Sequence, residues 1–269
     1  MSAMAKQKPA WLSILPGGLD ASKFSLDELR SAKQAHAFLS ERVPGPNGIA
    51  EYIRGFRYLL FFGIACIAEN KYPPLTRCWK ELEKLFMSDP AFDDGVFVQS
   101  WILMDFPFGP ERHTALDYFE EFLRGTDAAP QFQRFIDEAR KSRLGLHQDV
   151  LRNKKVAKFR ELISRKEIST FPSIEEYGKG EILLIRTIAH GDQVFMFGNP
   201  KGFPKEAKAQ IEDMVLDKLF YFDEEDSLEK QYEVFMKLAG PYWMSCVTKN
   251  EAVPILDPDH YRTYLDRRA

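Results

Sequence analysis

The chain has 269 residues, of which 45% are apolar and 13% aromatic, a composition typical of a globular protein with a sizeable core. The formal net charge of −3 excludes a general attraction to polyanions, so a nucleic-acid interface would need a local basic patch. Cys66, Cys78 and Cys246 form no Cys-x-x-Cys pair and no zinc-type spacing, which predicts a reduced chain without a metal site or cofactor. The longest apolar run, 58–68, is about half of a membrane span. We therefore expect a cytoplasmic protein with no membrane segment.

The N-terminal half shows apolar residues at helical spacing. Ser25 with Glu28 three residues later is typical of a capping box, and Thr114 with Asp117 resembles a second helix start. The stretch 49–70 is apolar nearly all round, which is typical of a helix at the centre of a bundle. The predicted helices are 26–39, 49–70, 76–87, 96–105, 114–124 and 129–144.

Near Gly145 the helical spacing of the apolar residues ends, and shorter apolar runs follow. Short β-prone runs with turn residues between them predict four or five strands, arranged as a small antiparallel meander or partial barrel. The predicted strand regions are 146–150, 155–159, 167–171, 181–189 and 194–198, and the helices 205–222 and 227–239 follow. The sequence thus predicts an α+β protein: an N-terminal helical bundle (1–145), then a β module with C-terminal helices packed on both (146–269).

The least ordinary feature is a run of ten basic residues between 140 and 166, opposed only by Asp149 and Glu161, with a local balance of +8. We call this run the basic stripe. It could hold an acidic protein surface or phosphates, although Phe159 is its only aromatic ring for base stacking. The alternative is a set of solvated strand edges where lysine blocks unwanted pairing. The candidate binding residues within the basic stripe are Arg152, Lys154, Lys155, Lys158 and Arg160.

Three further candidates are Trp101, Asp105 and Arg186. Trp101 and Asp105 are four residues apart and share a helix face, where they form either a pocket wall or a core tryptophan beside a corner-capping carboxylate. Arg186 lies in the apolar run 182–188. If its face is inward it must be paired, because an uncompensated buried charge is costly. The partners that the sequence suggests are Glu161, Glu175 and Glu181.

Several motifs carry a likeness to a family. They are 97–101 (Phe-Val-Gln-Ser-Trp) with Asp105, the helix 114–123, and the segments Val-Ala-Lys-Phe-Arg-Glu-Leu (156–162), Gly-Glu-Ile-Leu-Leu-Ile-Arg (180–186) and Phe-Gly-Asn-Pro-Lys-Gly-Phe-Pro (197–204). In this order they resemble a loose group of uncharacterised bacterial proteins that often carry a C-terminal SEC-C zinc motif. The likeness spans about 110 of the 269 residues. The motif itself is absent, because the tail holds only Cys246 and His260.

These patterns lead to one main hypothesis and two alternatives. The main hypothesis is a non-catalytic binding or adaptor protein of the bacterial cytoplasm, which binds a protein partner through the basic stripe or through a groove between the bundle and the β module. The first alternative is a nucleic-acid-binding accessory factor that uses the same stripe. The second is an enzyme in which Asp105, Arg186 and His190 meet in a cleft, although no P-loop, Gly-x-Gly-x-x-Gly, His-Glu-x-x-His or Gly-x-Ser-x-Gly motif is present.

Overall fold

A computed structural model describes residues 25–40, 42, 47–73, 75–76, 95–106, 113–152, 157–170, 181–191, 193–219 and 227–238. Within these ranges the chain has the predicted α+β architecture. Nearly all of the predicted helix 76–87, the residues Lys154 and Lys155, and the tail after 238 lie outside the described residues.

Most helices follow the apolar spacing of the sequence, but the single helix predicted over 26–39 ends at Leu29, is capped by Arg30 and resumes at Ala32. Their bounds are α1 Leu26–Leu29, α2 Ala32–Leu39, α3 Asn47–Ala68, α4 Gly95–Met104, α5 Ala115–Leu123, α6 Ala129–Lys141, α7 Lys208–Leu219 and α8 Leu228–Leu238. The predicted capping box at Ser25 and the predicted N-cap at Thr114 are both confirmed, and the second is also a capping box: Ser25 accepts a hydrogen bond from the backbone of Glu28, and Thr114 accepts one from the backbone of Asp117. Each box satisfies backbone donors that the first helical turn leaves free.

Helix α3 lies at the centre of the bundle, as its apolar composition predicts. Tyr58, Phe62 and the side chains around them are buried, and the Tyr58 ring stacks on Phe132 of α6 with 4.4 Å between ring centroids. The close approach of α3 and α6 depends on Gly55. A Cβ atom at this position would lie 2.3 Å from Cγ of Phe135, so a larger residue would push the two helices apart.

The five strands close into a barrel with the order β1-β2-β3-β5-β4. Their bounds are β1 Arg143–Arg152, β2 Ala157–Glu161, β3 Glu167–Thr170, β4 Ile182–His190 and β5 Gln193–Phe203. All neighbours are antiparallel except β3 and β5, which pair in parallel through Thr170 and Val194. The partial barrel predicted from the sequence is therefore a closed one, and a single parallel contact replaces a purely antiparallel meander.

Strand β1 begins earlier than predicted, at Arg143. Helix α6 ends at Lys141, and Ser142 has extended backbone angles (φ −64°, ψ 142°). Each residue from Arg143 to Gln148 lies opposite a residue of β4, so pairing in the sheet overrides the helical spacing that continued to 144. The predicted domain boundary between residues 145 and 146 consequently lies inside β1.

One apolar core runs through the bundle and into the barrel wall. It includes Trp101 from α4 and Leu184, Ile188 and Phe197 from the barrel, so packed apolar side chains connect the bundle to the barrel. A smaller cluster fills the barrel itself and consists of Ala157, Phe159, Leu183 and Ile185. Across the described ranges, no helix has both the length and the hydropathy that crossing a membrane requires.

Helix α8 packs on both the bundle and the barrel, as predicted. Tyr232, Phe235 and Met236 are buried. The backbone of Leu146 in β1 donates a 2.7 Å hydrogen bond to the Tyr232 hydroxyl. These contacts bring α8 against one end of the barrel.

Candidate functional site

Arg186 and Asp105 form a buried ion pair between the barrel and the bundle. Arg186 extends from β4, and Asp105 follows the last residue of α4; the side chains are 0% and 2% exposed. Nη2 of Arg186 contacts Oδ2 of Asp105, and Nη1 lies 3.4 Å from Oδ1. The guanidinium also donates to the hydroxyls of Ser142 (2.9 Å) and Ser100 (3.2 Å). This set of acceptors compensates the desolvation of both charges.

The partner of Arg186 corrects the sequence prediction. The face that Arg186 shares with Leu184 and Ile188 is buried against the bundle, and of the suggested partners that the structure describes, neither Glu161 nor Glu181 binds it. Glu161 points into the barrel from β2, Glu181 only precedes β4, and Glu175 lies outside the described residues. Asp105 is 81 residues away along the chain, a separation at which sequence spacing carries no information on contacts.

The surroundings of this ion pair belong to the core. Trp101 is fully buried, and its Nε1 donates a 3.0 Å hydrogen bond to the backbone of Lys237. Tyr52 donates to Sδ of Met104 at 3.3 Å. Burial raises the pKa of the Tyr52 hydroxyl, and the nearby Arg186 opposes that rise. Trp101, Asp105 and Arg186 therefore connect bundle and barrel rather than lying on an accessible surface.

His190 does not join this ion pair. It lies at the end of β4, where its Nδ1 is 2.7 Å from Oε1 of Glu138 and its Nε2 is 2.7 Å from Nη2 of Arg134. The enzyme hypothesis needs Asp105, Arg186 and His190 in one cleft. The structure brings the first two together in the core and places His190 in a separate, partly exposed cluster.

The basic stripe divides into two parts with different surroundings. In the first part, basic residues bind carboxylates of the helices. Arg140 pairs with Asp117 and Glu120 of α5 (3.0 and 2.6 Å), Arg143 with Glu229 and Glu233 of α8 (2.7 and 3.0 Å), Arg165 with Glu212 of α7 (2.9 Å), and Lys166 with Glu229 (3.0 Å). These ion pairs neutralise much of the charge excess that the sequence suggested.

The second part lies on the outer surface of β2 and β3, which we call the β2–β3 face. The burial of β2 alternates strictly, so that Lys158 and Arg160 are exposed. Lys158 is opposite Ser169 of β3, and Arg160 is opposite Glu167. Nη2 of Arg160 lies 2.6 Å from Oε1 of Glu167, and this contact lowers the pKa of the exposed Glu167 carboxyl.

The segment that joins β1 to β2 carries the remaining candidates. Arg152 is the last residue of β1, and Lys154 and Lys155 fall in 153–156, outside the described residues. Together with Lys158 and Arg160 they make the hairpin strongly basic in sequence. Among the described residues, no ion pair joins Lys158 to a carboxylate.

A polar pair inside the barrel was missed by the sequence analysis. His147 of β1 is opposite Glu161 of β2, and both are buried. A Cβ atom on Gly145 would lie 2.8 Å from Cε1 of His147 and 2.9 Å from Oε1 of Glu161, so glycine leaves the space that these two side chains occupy. The sequence signal that could have indicated this pair was the alternation of Gly145, His147 and Asp149, which places the three residues on one face of β1.

Burial shifts the titration of both groups in this pair. It lowers the pKa of the His147 imidazole to about 4, and a backbone hydrogen bond with Gly145 partly opposes the shift. Burial raises the pKa of the Glu161 carboxyl, while a hydrogen bond from Ser164 and the positive charge of Arg143 lower it. At neutral pH His147 is therefore uncharged. The described residues include no group of three or more histidine, cysteine or acidic side chains suited to a metal ion.

No protein-family model, no curated protein and no solved structure matches the chain. The likeness to proteins with a SEC-C motif accordingly stays a prediction, and Cys246 and His260 of the tail lie outside the described residues. The geometry of the site is the only basis for a functional proposal.

Proposed function

We propose that this chain is a non-catalytic binding protein that holds an acidic protein partner on the β2–β3 face. The division of the basic stripe is the observation that carries the proposal. Arg140, Arg143, Arg165 and Lys166 are engaged by carboxylates of the helices. Lys158 is exposed on the barrel surface, beside the basic segment that joins β1 to β2.

The electrostatics of this surface favour an anionic partner. Exposed cations attract a partner of opposite charge and accelerate its association, and this attraction weakens with salt. Glu167 forms an ion pair with Arg160 and also lies within the field of Lys158, so one carboxylate faces two cations on this surface. We further propose a cytoplasmic location, which is supported by the buried, free thiol of Cys66 and by the few cysteines of the chain.

Charge reversal tests this proposal directly. We expect the triple variant Lys154→Glu, Lys155→Glu and Lys158→Glu to lose more than about ten-fold in affinity for fluorescent polyglutamate at low salt, because each reversal replaces attraction by repulsion. The same variant should lose any partner captured from lysate. Its far-UV circular dichroism should remain that of the unmodified protein, because Lys158 is exposed.

A matched control separates the β2–β3 face from total charge. The triple variant Lys33→Glu, Lys71→Glu and Lys205→Glu changes the net charge equally at exposed positions elsewhere. We expect it to keep most of the affinity for polyglutamate. Equal losses in both variants, or unchanged binding in the first, would contradict the proposal.

A second candidate function is single-stranded nucleic-acid binding on the same face. The observation that favours it is the barrel, because a five-stranded Greek-key barrel is the architecture of OB folds, which bind oligonucleotides on strands 2 and 3 and on the adjoining loops. This is an argument from architecture alone. A titration of a single-stranded oligonucleotide against salt tests it: a steep loss of affinity with rising salt is expected, and no binding at low salt ends the idea.

A further inference from the structure

The pairing of β1 with β2 contains a bulge that determines what the β2–β3 face presents. Asp149 is opposite Phe159, but Leu151 is opposite Lys158. Strand β1 therefore uses two residues where β2 uses one, with Val150 as the additional residue. A bulge of this kind redirects the side chains that follow it.

The redirected side chain is Leu151. His147 and Asp149 are buried, whereas the next residue of that alternation, Leu151, is 47% exposed. Without the bulge, the strict period of two would place a leucine inside the barrel, where burial is favourable. The chain instead exposes this leucine on the outer surface, directly opposite the exposed Lys158.

Few large apolar side chains are exposed among the described residues. The large apolar side chains that are exposed there are Leu151, Leu216 and Leu228, and the other two lie on α7 and α8. Leu151 is thus the one that adjoins the basic residues of the β2–β3 face. Across β2, Lys158 is opposite Ser169 of β3, so an apolar, a cationic and a hydroxyl side chain form one row across the three strands.

We propose that the partner segment on the β2–β3 face is an acidic peptide that carries an apolar side chain, which packs on Leu151 while a carboxylate binds Lys158. This inference rests on the proposed function and specifies its ligand. Residues directly opposite each other in antiparallel strands have Cβ atoms about 5 Å apart. A peptide helix with leucine and glutamate four residues apart presents the two groups at about 5–6 Å, which matches the spacing of Leu151 and Lys158.

The same surface fits a nucleic acid less well. Bases bind such faces by stacking on aromatic rings, and the exposed side chains of β2 and β3 in the described ranges are Lys158, Arg160, Glu167 and Ser169. A phosphate backbone offers no aliphatic side chain for Leu151. The acidic peptide satisfies both the charge and the apolar contact.

Fluorescence anisotropy with three probes tests the inference. The first probe is a glutamate-rich helical peptide with leucines four residues from glutamates, the second has serine in place of each leucine, and the third is a single-stranded oligonucleotide of equal charge. Burial of the exposed half of Leu151 should make the leucine peptide bind about five-fold more tightly than the serine peptide.

Two substitutions assign the preference to one side chain. We expect Leu151→Ser to bind both peptides equally, and Leu216→Ser, whose leucine is 45% exposed on α7, to keep the five-fold preference. Both leucines are exposed, so the thermal midpoints of the two variants should match that of the unmodified protein.

Each remaining outcome has a definite meaning. Equal affinity for the two peptides, both lost on charge reversal of Lys154, Lys155 and Lys158, overturns the inference and leaves the proposed function intact. A preference that survives Leu151→Ser also overturns the inference. Tighter binding of the oligonucleotide than of either peptide overturns it in favour of a nucleic-acid ligand, and no binding of any probe at low salt overturns both proposals.

Discussion

The buried ion pair of Asp105 and Arg186 gives the sharpest prediction for stability. We expect Asp105→Leu and Arg186→Met, each alone, to destabilise the protein strongly, because each leaves the remaining charge buried without its partner. The double variant Asp105→Leu/Arg186→Met removes both charges. It should recover most of the loss, because an apolar pair of similar volume needs no compensation in the core.

The magnitude follows from the burial of the pair. With side chains 0% and 2% exposed, water cannot solvate a charge that has lost its partner, and each single substitution should cost about 3–5 kcal/mol. The double variant should lie within about 2 kcal/mol of the unmodified protein, since Ser142 keeps its 2.6 Å hydrogen bond to the backbone of Ala139. The coupling between the two positions would then be several kcal/mol.

Equilibrium urea denaturation followed by far-UV circular dichroism measures these free energies of unfolding. Arg165→Met is a matched control, because this arginine pairs with Glu212 while its own side chain is 57% exposed; it should cost less than about 1 kcal/mol. Single losses near that of the control would refute the reasoning. A double variant that loses the sum of the two single losses would refute it as well.

Two further predictions concern close packing and pH. Gly55→Ala should destabilise the bundle by about 1–3 kcal/mol in urea denaturation, because its Cβ would lie 2.3 Å from the Phe135 ring. Gly63→Ala is the control: its Cβ would lie 3.2 Å from the end of a leucine side chain, so this variant should lose clearly less unfolding free energy. Equal losses in the two variants would contradict the packing argument. His147 has a pKa of about 4 when folded and about 6.5 when unfolded, so it binds fewer protons in the folded state. Its stabilising contribution is complete above about pH 6.5 and is lost as pH falls toward 4. Relative to His147→Gln, the unmodified protein should therefore lose unfolding free energy as pH falls over that range, because Glu161 is present in both proteins and His147 in only one. A difference that does not change with pH would exclude this linkage.

The sequence by itself determined the local structure. The capping box at Ser25, the N-cap at Thr114 and the apolar composition of α3 predicted helix positions, because these signals act over a few residues. The strand region, and the face that Arg186 shares with Leu184 and Ile188, also followed from local alternation. The requirement that Arg186 be paired was predictable from the cost of an uncompensated buried charge.

Only the tertiary structure decided which groups meet. Asp105 reaches Arg186 across 81 residues, and no local pattern encodes such a contact. The charge excess of the basic stripe was visible in the sequence. Its division was not, because the carboxylates come from elements brought there by tertiary packing: α5 within the bundle supplies the partner of Arg140, and α8, which packs on β1, supplies the partner of Arg143 and Lys166.

The bulge at Val150 is a second feature that local sequence patterns do not predict. Alternation along β1 is a local property of its residues, but the register of β2 decides where the additional residue of β1 is accommodated. That single shift exposes Leu151 and leaves His147 and Glu161 inside the barrel. Residue pattern therefore specified the elements of this protein, and the pairing between distant elements specified the surface on which we place its function.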